Sequence, residues 1–396
     1  MILKSLNLAR RLMAGCLGLL ISVGTLAGAI VSQHDIFVAG EGGYHTYRIP
    51  AVVQALDGSL LAFCEGRKHG PSDTGDIDLI LKRSVDGGKT WGELQVVWDD
   101  GENTCGNPCP VVDQTTGIIW LWATHNLGGD REHDIITGQA QGTRTPWLLS
   151  STDHGRTWSE ARPMTAQVKD PSWGWYATGP GIGIQIQHGP YRGRLVVPCV
   201  HSYHDPAGNL RGGPYEYGSH VIYSDDHGET WHLGGTVRPK VNECQVVELE
   251  HRPGALLLNM RSYFERGCRA EAVSWDGGLT WSGPVDQPGL PEPRAQASIL
   301  RQRWSGGGEP GRLIFSNPAD PRERRSMSLR ISEDEGRTWP RTVLLHDQFS
   351  AYSSLVSLGP NLVGCLYERG FSLRPRSYER ITWALIELPP AKPAVP

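Results

Sequence analysis

Three arginine-bearing segments stand out in the sequence: Tyr47-Arg48-Ile49-Pro50, Asn259-Met260-Arg261-Ser262 and Arg324-Arg325-Ser326-Met327-Ser328-Leu329-Arg330. A guanidinium holds a carboxylate well, through paired, charge-assisted hydrogen bonds. The formal net charge is −4, so the chain has no general basic field for nucleic acid. Any anionic ligand must therefore be met by local arginines. A Gly- and Pro-containing loop at 65–76 carries Asp73. Asp76 and Asp78 lie closer to the apolar stretch 79–82 and read as turn or strand-edge residues. Cys105 and Cys109 form a C-x₃-C pair without a second C-x₂-C or a histidine cluster, so no structural zinc is expected. Beyond the first 29 residues the cysteine count is seven, an odd number, and most are expected to be buried free thiols.

The elements that must position these groups are announced by a repeat. S-x-D-x-G-x-T-W occurs five times, at 84–91, 151–158, 224–231, 274–281 and 332–339. Its aspartate is expected to accept hydrogen bonds from its own turn, its glycine to take a positive φ, and Thr-Trp to open the next strand. The tryptophan should pack beneath the turn as a small satellite core. These aspartates are turn ligands, not catalytic acids. From Trp91 to Trp339 there are 248 residues over four intervals, a mean of 62. Residues 30–396 then hold six such units, one lacking a recognisable box, which suggests a six-bladed β-propeller with four short strands per blade. The 49 glycines, 28 prolines and 14 tryptophans agree with an all-β chain of many turns. Short apolar stretches at 79–82, 118–123, 195–200, 246–250, 256–260 and 362–367 read as strands.

The Y-R-I-P motif, the boxes, and an arginine at each of two later positions together resemble the exo-sialidase family over essentially the whole of 30–396. The resemblance implies a retaining glycoside hydrolase that needs no metal or organic cofactor. It implies that Arg48, Arg261 and Arg324 hold the carboxylate on the anomeric carbon of sialic acid. Arg324 is preferred over Arg325 because it lies eight residues before the serine of the fifth box. Asp73, six residues after Arg67, takes the acid/base role, and Arg67 is expected to contact a sugar hydroxyl. Tyr352, in Ala351-Tyr352-Ser353-Ser354-Leu355, takes the nucleophile's place, since a neutral phenol avoids repulsion from the substrate carboxylate. A phenol of ordinary pKa needs a base, and Glu243 of Asn242-Glu243-Cys244-Gln245 matches it. Glu248 and Glu250 read as strand surface. Glu368 corresponds to the glutamate that orients the first arginine. Trp122, Asn126, Tyr176, Tyr203 and Tyr217 are weaker candidates for the remainder of the pocket.

The expected substrates are sialylated glycans, glycoproteins or gangliosides. A trans-sialidase or an intramolecular variant would use the same residues, and an inactive sialic-acid lectin is disfavoured because Asp73, Glu243 and Tyr352 are all present. Lys4, Arg10 and Arg11 precede an uncharged run at 12–31 containing Ala27-Gly28-Ala29. Residues 1–29 thus read as an export signal, cleaved after Ala29, retained as an anchor, or lipidated at Cys16, which follows a lipobox-like Leu12-Met13-Ala14-Gly15. A secreted, periplasmic or cell-surface protein is expected, membrane-bound only through that segment, and monomeric.

Overall fold

A computed structural model describes residues 28–371 and 376–390. The expected leader, with Cys16, lies outside the described residues up to position 27, while Ala29 opens the strand Ala29–Val38. The chain is all-β. Among the described residues the α-helices are two short ones, Glu132–Thr137 and Thr165–Val168.

The strands form four hydrogen-bonded sheets. Within them, consecutive strands pair antiparallel in runs of four. The first run is Thr46–Gln54, Leu60–Arg67, Ile77–Ser84 and Gln95–Trp98. The second comprises Thr104–Val112, Ile119–Asn126, Thr145–Ser151 and Arg162–Pro163. The third has Tyr176–Thr178, Leu195–His204, Tyr215–Ser224 and His232–Val237. The fourth is Val241–Glu248, Leu256–Ser262, Cys268–Ser274 and Val285–Pro291. The fifth starts at Ser298–Arg303 and passes through Arg312–Pro318 and Arg325–Ser332 to the long strand Arg341–Gly359. That strand then begins the sixth run, followed by Leu362–Arg369 and Arg380–Glu387. The outermost strand of the sixth run is the N-terminal Ala29–Val38, so both ends of the described chain share one run. The first strands of the first, second and fourth runs are almost wholly buried.

All five box turns adopt one geometry. The serine hydroxyl donates to the aspartate at 2.8 Å, and the threonine hydroxyl donates to its second oxygen at 2.6 Å. The glycine amide in turn donates to the buried serine oxygen. Gly228 shows why the position demands glycine. Its φ is 94°, and a Cβ there would fall 2.2 Å from the Trp120 ring.

Trp231 closes its own turn as expected, its Nε1 donating to the Gly228 carbonyl at 2.9 Å, and the box tryptophans also reach beyond their turns. Trp91 meets Trp383 of the sixth run edge-on at 5.5 Å, Trp158 meets Phe63 of the first, and Trp231 meets Trp122 of the second at 5.0 Å. Trp231 is buried in a cluster shared by the second and third runs, while Trp91 and Trp158 are partly buried and pack against the clusters they border. The stretch read as a strand at 246–250 is corrected, because the strand is Val241–Glu248. Glu248 is buried rather than on the surface, for its carboxylate accepts the amides of Gln187 and His188. Glu250 is partly buried and accepts the Ser305 amide. All seven described cysteines are free and buried.

Candidate active site

Arg48 sits near the start of Thr46–Gln54, and Glu243 near the start of Val241–Glu248. Tyr352 lies midway along Arg341–Gly359, where pairing changes from the fifth run to the sixth. Strands from separate runs thus converge on one cavity of about 240 Å³. Arg48, Arg67, Asp73, Glu243, Arg261, Arg324 and Tyr352 all line it. Six guanidiniums and four carboxylates face this space in a chain whose net charge is negative. The arrangement suits a small anion. A larger cavity of about 470 Å³ is bordered by Val52, Ile182, Val246, Ile299 and Val356. Its ionisable residues are already engaged, Glu248 by backbone amides and Arg301 by Glu335, so it offers no comparable chemistry.

Tyr352 is the centre of the arrangement. Its hydroxyl donates to Glu243 Oε1 at 2.6 Å and accepts from Arg261 Nη1 at 3.2 Å. Arg261 Nη1 also bonds the second Glu243 oxygen at 2.7 Å. The Arg48 and Arg324 guanidiniums lie 5.0 and 5.5 Å from the Tyr352 ring centroid. Burial pushes the phenol well above the usual tyrosine value, with Glu243 adding to the rise while Arg261, Arg324 and Arg48 oppose it. The phenol keeps its proton, and the carboxylate that could remove it is already hydrogen-bonded to it.

Glu368 stands behind the cavity, fully buried. It accepts from Arg48 Nε at 3.0 Å and Nη2 at 3.3 Å, and from the amides of Ile49 and Tyr352. One carboxylate therefore fixes both the first arginine and the backbone of the tyrosine. Ile49 has φ 61°, an unusual backbone for a β-branched residue, and its amide is one of the groups Glu368 holds.

Asp73 projects from its loop with its side chain 63% exposed. Its carboxylate lies 2.8 Å from Arg67 Nη2 and 3.6 Å from Arg48 Nη1. Desolvation by the cavity walls raises its pKa, but the charges of Arg67 and Arg48 outweigh that and bring it down to about 2. Water at the mouth screens part of this pull. Arg67 lines the cavity and donates to Glu65, the Pro71 carbonyl and Asp73. Asp76 and Asp78 are drawn away from the site, both to Lys68 and Asp78 also to the Tyr44 hydroxyl.

The weaker pocket candidates separate. Trp122 and Tyr176 are fully buried core residues. Tyr203 packs on Arg238, outside the cavity lining. Asn126 lies beneath the floor, where its side-chain oxygen accepts from Arg144 at 2.9 Å. Tyr217 backs the wall through a short hydrogen bond to Glu132. Glu65, Arg144 and Tyr378 line the cavity without having been singled out in the sequence. Glu65 was detectable, since it sits two residues before Arg67 on one strand and so shares its face. Arg144 and Tyr378 carry no motif, and only the fold brings them in.

Residues 58–365 match the BNR repeat-like domain family. The chain is 34% identical over 370 residues to a sialidase of Micromonospora viridifaciens, an alignment covering 89% of this chain and 54% of that protein. It thus spans about half the length of that relative. It is 31% identical over 377 residues to an exo-alpha-sialidase of Aspergillus fumigatus, covering 87% and 85% of the two chains. Among solved structures, the Hadza microbial sialidase Hz136 superposes with a TM-score of 0.76 at 32% identity, over 90% of this chain and 68% of that one.

Proposed function

Because the chain belongs to the sialidase family, we propose that it is an exo-α-sialidase that hydrolyses terminal sialic acid from glycans, glycoproteins or gangliosides with retention. The observation that carries this reading is the Tyr352 hydroxyl, 2.6 Å from Glu243 and surrounded by Arg48, Arg261 and Arg324. The cavity of about 470 Å³ joins no phenol–carboxylate pair to a cluster of guanidiniums.

In the proposed reaction the three arginines take the substrate carboxylate and fix the ring over Tyr352. Asp73 begins ionised, tied to Arg67 and Arg48. A substrate carboxylate on Arg48 cancels one of those positive charges and adds a negative one, so Asp73 gains affinity for a proton as the substrate binds. Asp73 then protonates the departing glycosidic oxygen. Tyr352 attacks the anomeric carbon while its proton passes to Glu243, forming a covalent sialyl-enzyme. Asp73 next removes a proton from water, which attacks the same carbon as its bond to Tyr352 breaks. The Tyr352 oxygen takes its proton back from Glu243, and sialic acid leaves in its original configuration. Arg67 holds Asp73 and, from the cavity wall, contacts a sugar hydroxyl of the substrate.

The six four-strand runs are read as six propeller blades. Support comes from their sequential order, the mean box spacing of 62 residues, and the final run shared by both ends. Export is proposed from the charge and apolar pattern of residues 1–29. The deciding experiment is a fluorogenic sialoside assay on protein lacking residues 1–29, with NMR of the sugar first released. Hydrolysis giving the α-anomer supports the reading. Release of an anhydro sugar, or transfer to added lactose in place of hydrolysis, would replace it.

A further inference from the structure

The three clustered arginines are not held alike. Arg48 is paired with Glu368 and Arg261 with Glu243. Arg324 has no carboxylate partner among the described residues. Its side chain is held by two neutral acceptors, the Tyr378 hydroxyl at 3.0 Å from Nη1 and the Arg294 carbonyl at 3.0 Å from Nη2. Tyr378 also reaches the first arginine, since the Arg48 guanidinium carbon lies 4.0 Å from its ring centroid. One phenol therefore touches two of the three clustered cations, one through its ring and the other through its oxygen. Its ring packs beside Ile49, Ala351 and Tyr352, and the preceding Ser377 hydroxyl donates to the Arg324 carbonyl.

The surroundings of Arg324 make this restraint consequential. Arg324 and Tyr378 line both the cavity described above and a second one of about 440 Å³ bordered by Pro293, Arg322 and Ser377. The hydrogen-bonded pair forms the partition between them. Without the Tyr378 oxygen, a flexible arginine repelled by Arg48 and Arg261 has open space on its other side. A misplaced guanidinium loses the geometry on which carboxylate binding depends.

We propose that Tyr378 is a positioning residue that sets the substrate-carboxylate clamp, fixing Arg324 through its hydroxyl and stacking on Arg48 through its ring. The inference rests on the reading of this cavity as a sialoside site. It assigns Tyr378 no bond-making step, so its removal should act on binding more than on turnover.

The test measures kcat and KM for an aryl α-sialoside with wild type, Tyr378→Phe, Arg324→Ala and the double variant, alongside calorimetric binding of free sialic acid. Tyr378→Phe keeps the stacking ring and removes only the acceptor, so KM should rise roughly five- to tenfold while kcat stays within about twofold. In the Arg324→Ala background the same change should leave kcat/KM within about twofold, because the group it positions is gone. Tyr378→Leu, which also loses the stacking on Arg48, should weaken binding further. An active wild type with an unchanged KM in Tyr378→Phe overturns the inference alone. So does an equal loss in both backgrounds, the mark of a general structural role. A wild type that neither hydrolyses the sialoside nor binds sialic acid overturns the reading of the cavity and this inference with it.

Discussion

The box turns and the cavity both hold aspartates with depressed pKa values, and they reach that state by different means. At Asp226, desolvation raises the carboxyl, and the Thr230 hydroxyl and amide together with Ser224 bring it down to about 2. At Asp73, desolvation is overcome by the charges of Arg67 and Arg48, and the result is again about 2. The box aspartate is satisfied by neutral donors within four residues of itself. Because the contacts are local, the same eight residues fold the same way wherever the chain places them, and the motif recurs. The cavity groups have partners from the far side of the chain, such as Glu368 for Arg48 and Glu243 for Tyr352. They exist once, because only the assembled fold brings them together. Repetition marks scaffold, whereas convergence of unlike charges marks chemistry.

Breaking the cavity at its centre should have the largest effect. Tyr352→Phe should reduce sialoside hydrolysis by on the order of a thousandfold or more with little change in thermal midpoint. Activity near wild type would remove Tyr352 from the proposed role. Asp73→Ala should lower the rate by about 10²- to 10⁴-fold on alkyl or sugar sialosides. On an aryl sialoside with a good leaving group the loss should be far smaller, since proton donation is then hardly needed. An equal loss on both substrates would argue against Asp73 as the acid.

Glu368→Ala sharpens the contrast by combining both behaviours. It leaves the Arg48 guanidinium buried without its carboxylate, which should cost about 3–5 kcal/mol in denaturant unfolding. It should also raise KM, because Arg48 loses its placement. Ser224→Ala lies on the other side of the comparison. It removes the buried partner of the Gly228 amide and should cost about 1–3 kcal/mol while leaving kcat/KM unchanged. A kinetic defect in that variant would mean that the box turns shape the site as well as the scaffold.

The same distinction between local and distant contacts governs what the sequence reveals. The five boxes were legible because Asp, Gly and Thr bond within their own turn, and the strands beside them followed from short apolar stretches. The box tryptophans were half legible: Trp231 bonds the Gly228 carbonyl of its own turn, as the motif suggests, while its ring partner and that of Trp91 come from neighbouring runs, which no local pattern names. Glu248 was misread as surface because its partners are backbone amides of another run, leaving no trace in side-chain alternation. In the site, Arg48, Arg261 and Arg324 stand in recognisable segments, and Asp73, Glu243 and Tyr352 have distinctive neighbours. Tyr378 and Arg144 have none, since a lone tyrosine acquires its meaning only when Arg48 and Arg324 are folded against it.

The smallest predicted effect separates the two aspartates directly. Carboxyl NMR titration downward from pH 6 at low salt should find both Asp73 and Asp226 ionised until well below the ordinary 3.8. Raising sodium chloride to about 0.5 M shortens the screening length to a few ångströms, so the pull of Arg67 and Arg48 on the exposed Asp73 weakens. Its midpoint should then move upward, by less than the whole interval between about 2 and 3.8, because Arg67 remains in contact at 2.8 Å. Asp226, held by a hydroxyl and amides, should move little, since hydrogen bonds between neutral donors and a carboxylate are not screened by distant ions. If both midpoints shift together, long-range charge governs the box turns as well. If neither shifts, Asp73 is held by its hydrogen bond to Arg67 and not by the charge of the cluster, and the rise in its proton affinity on substrate binding would have to come from breaking that contact.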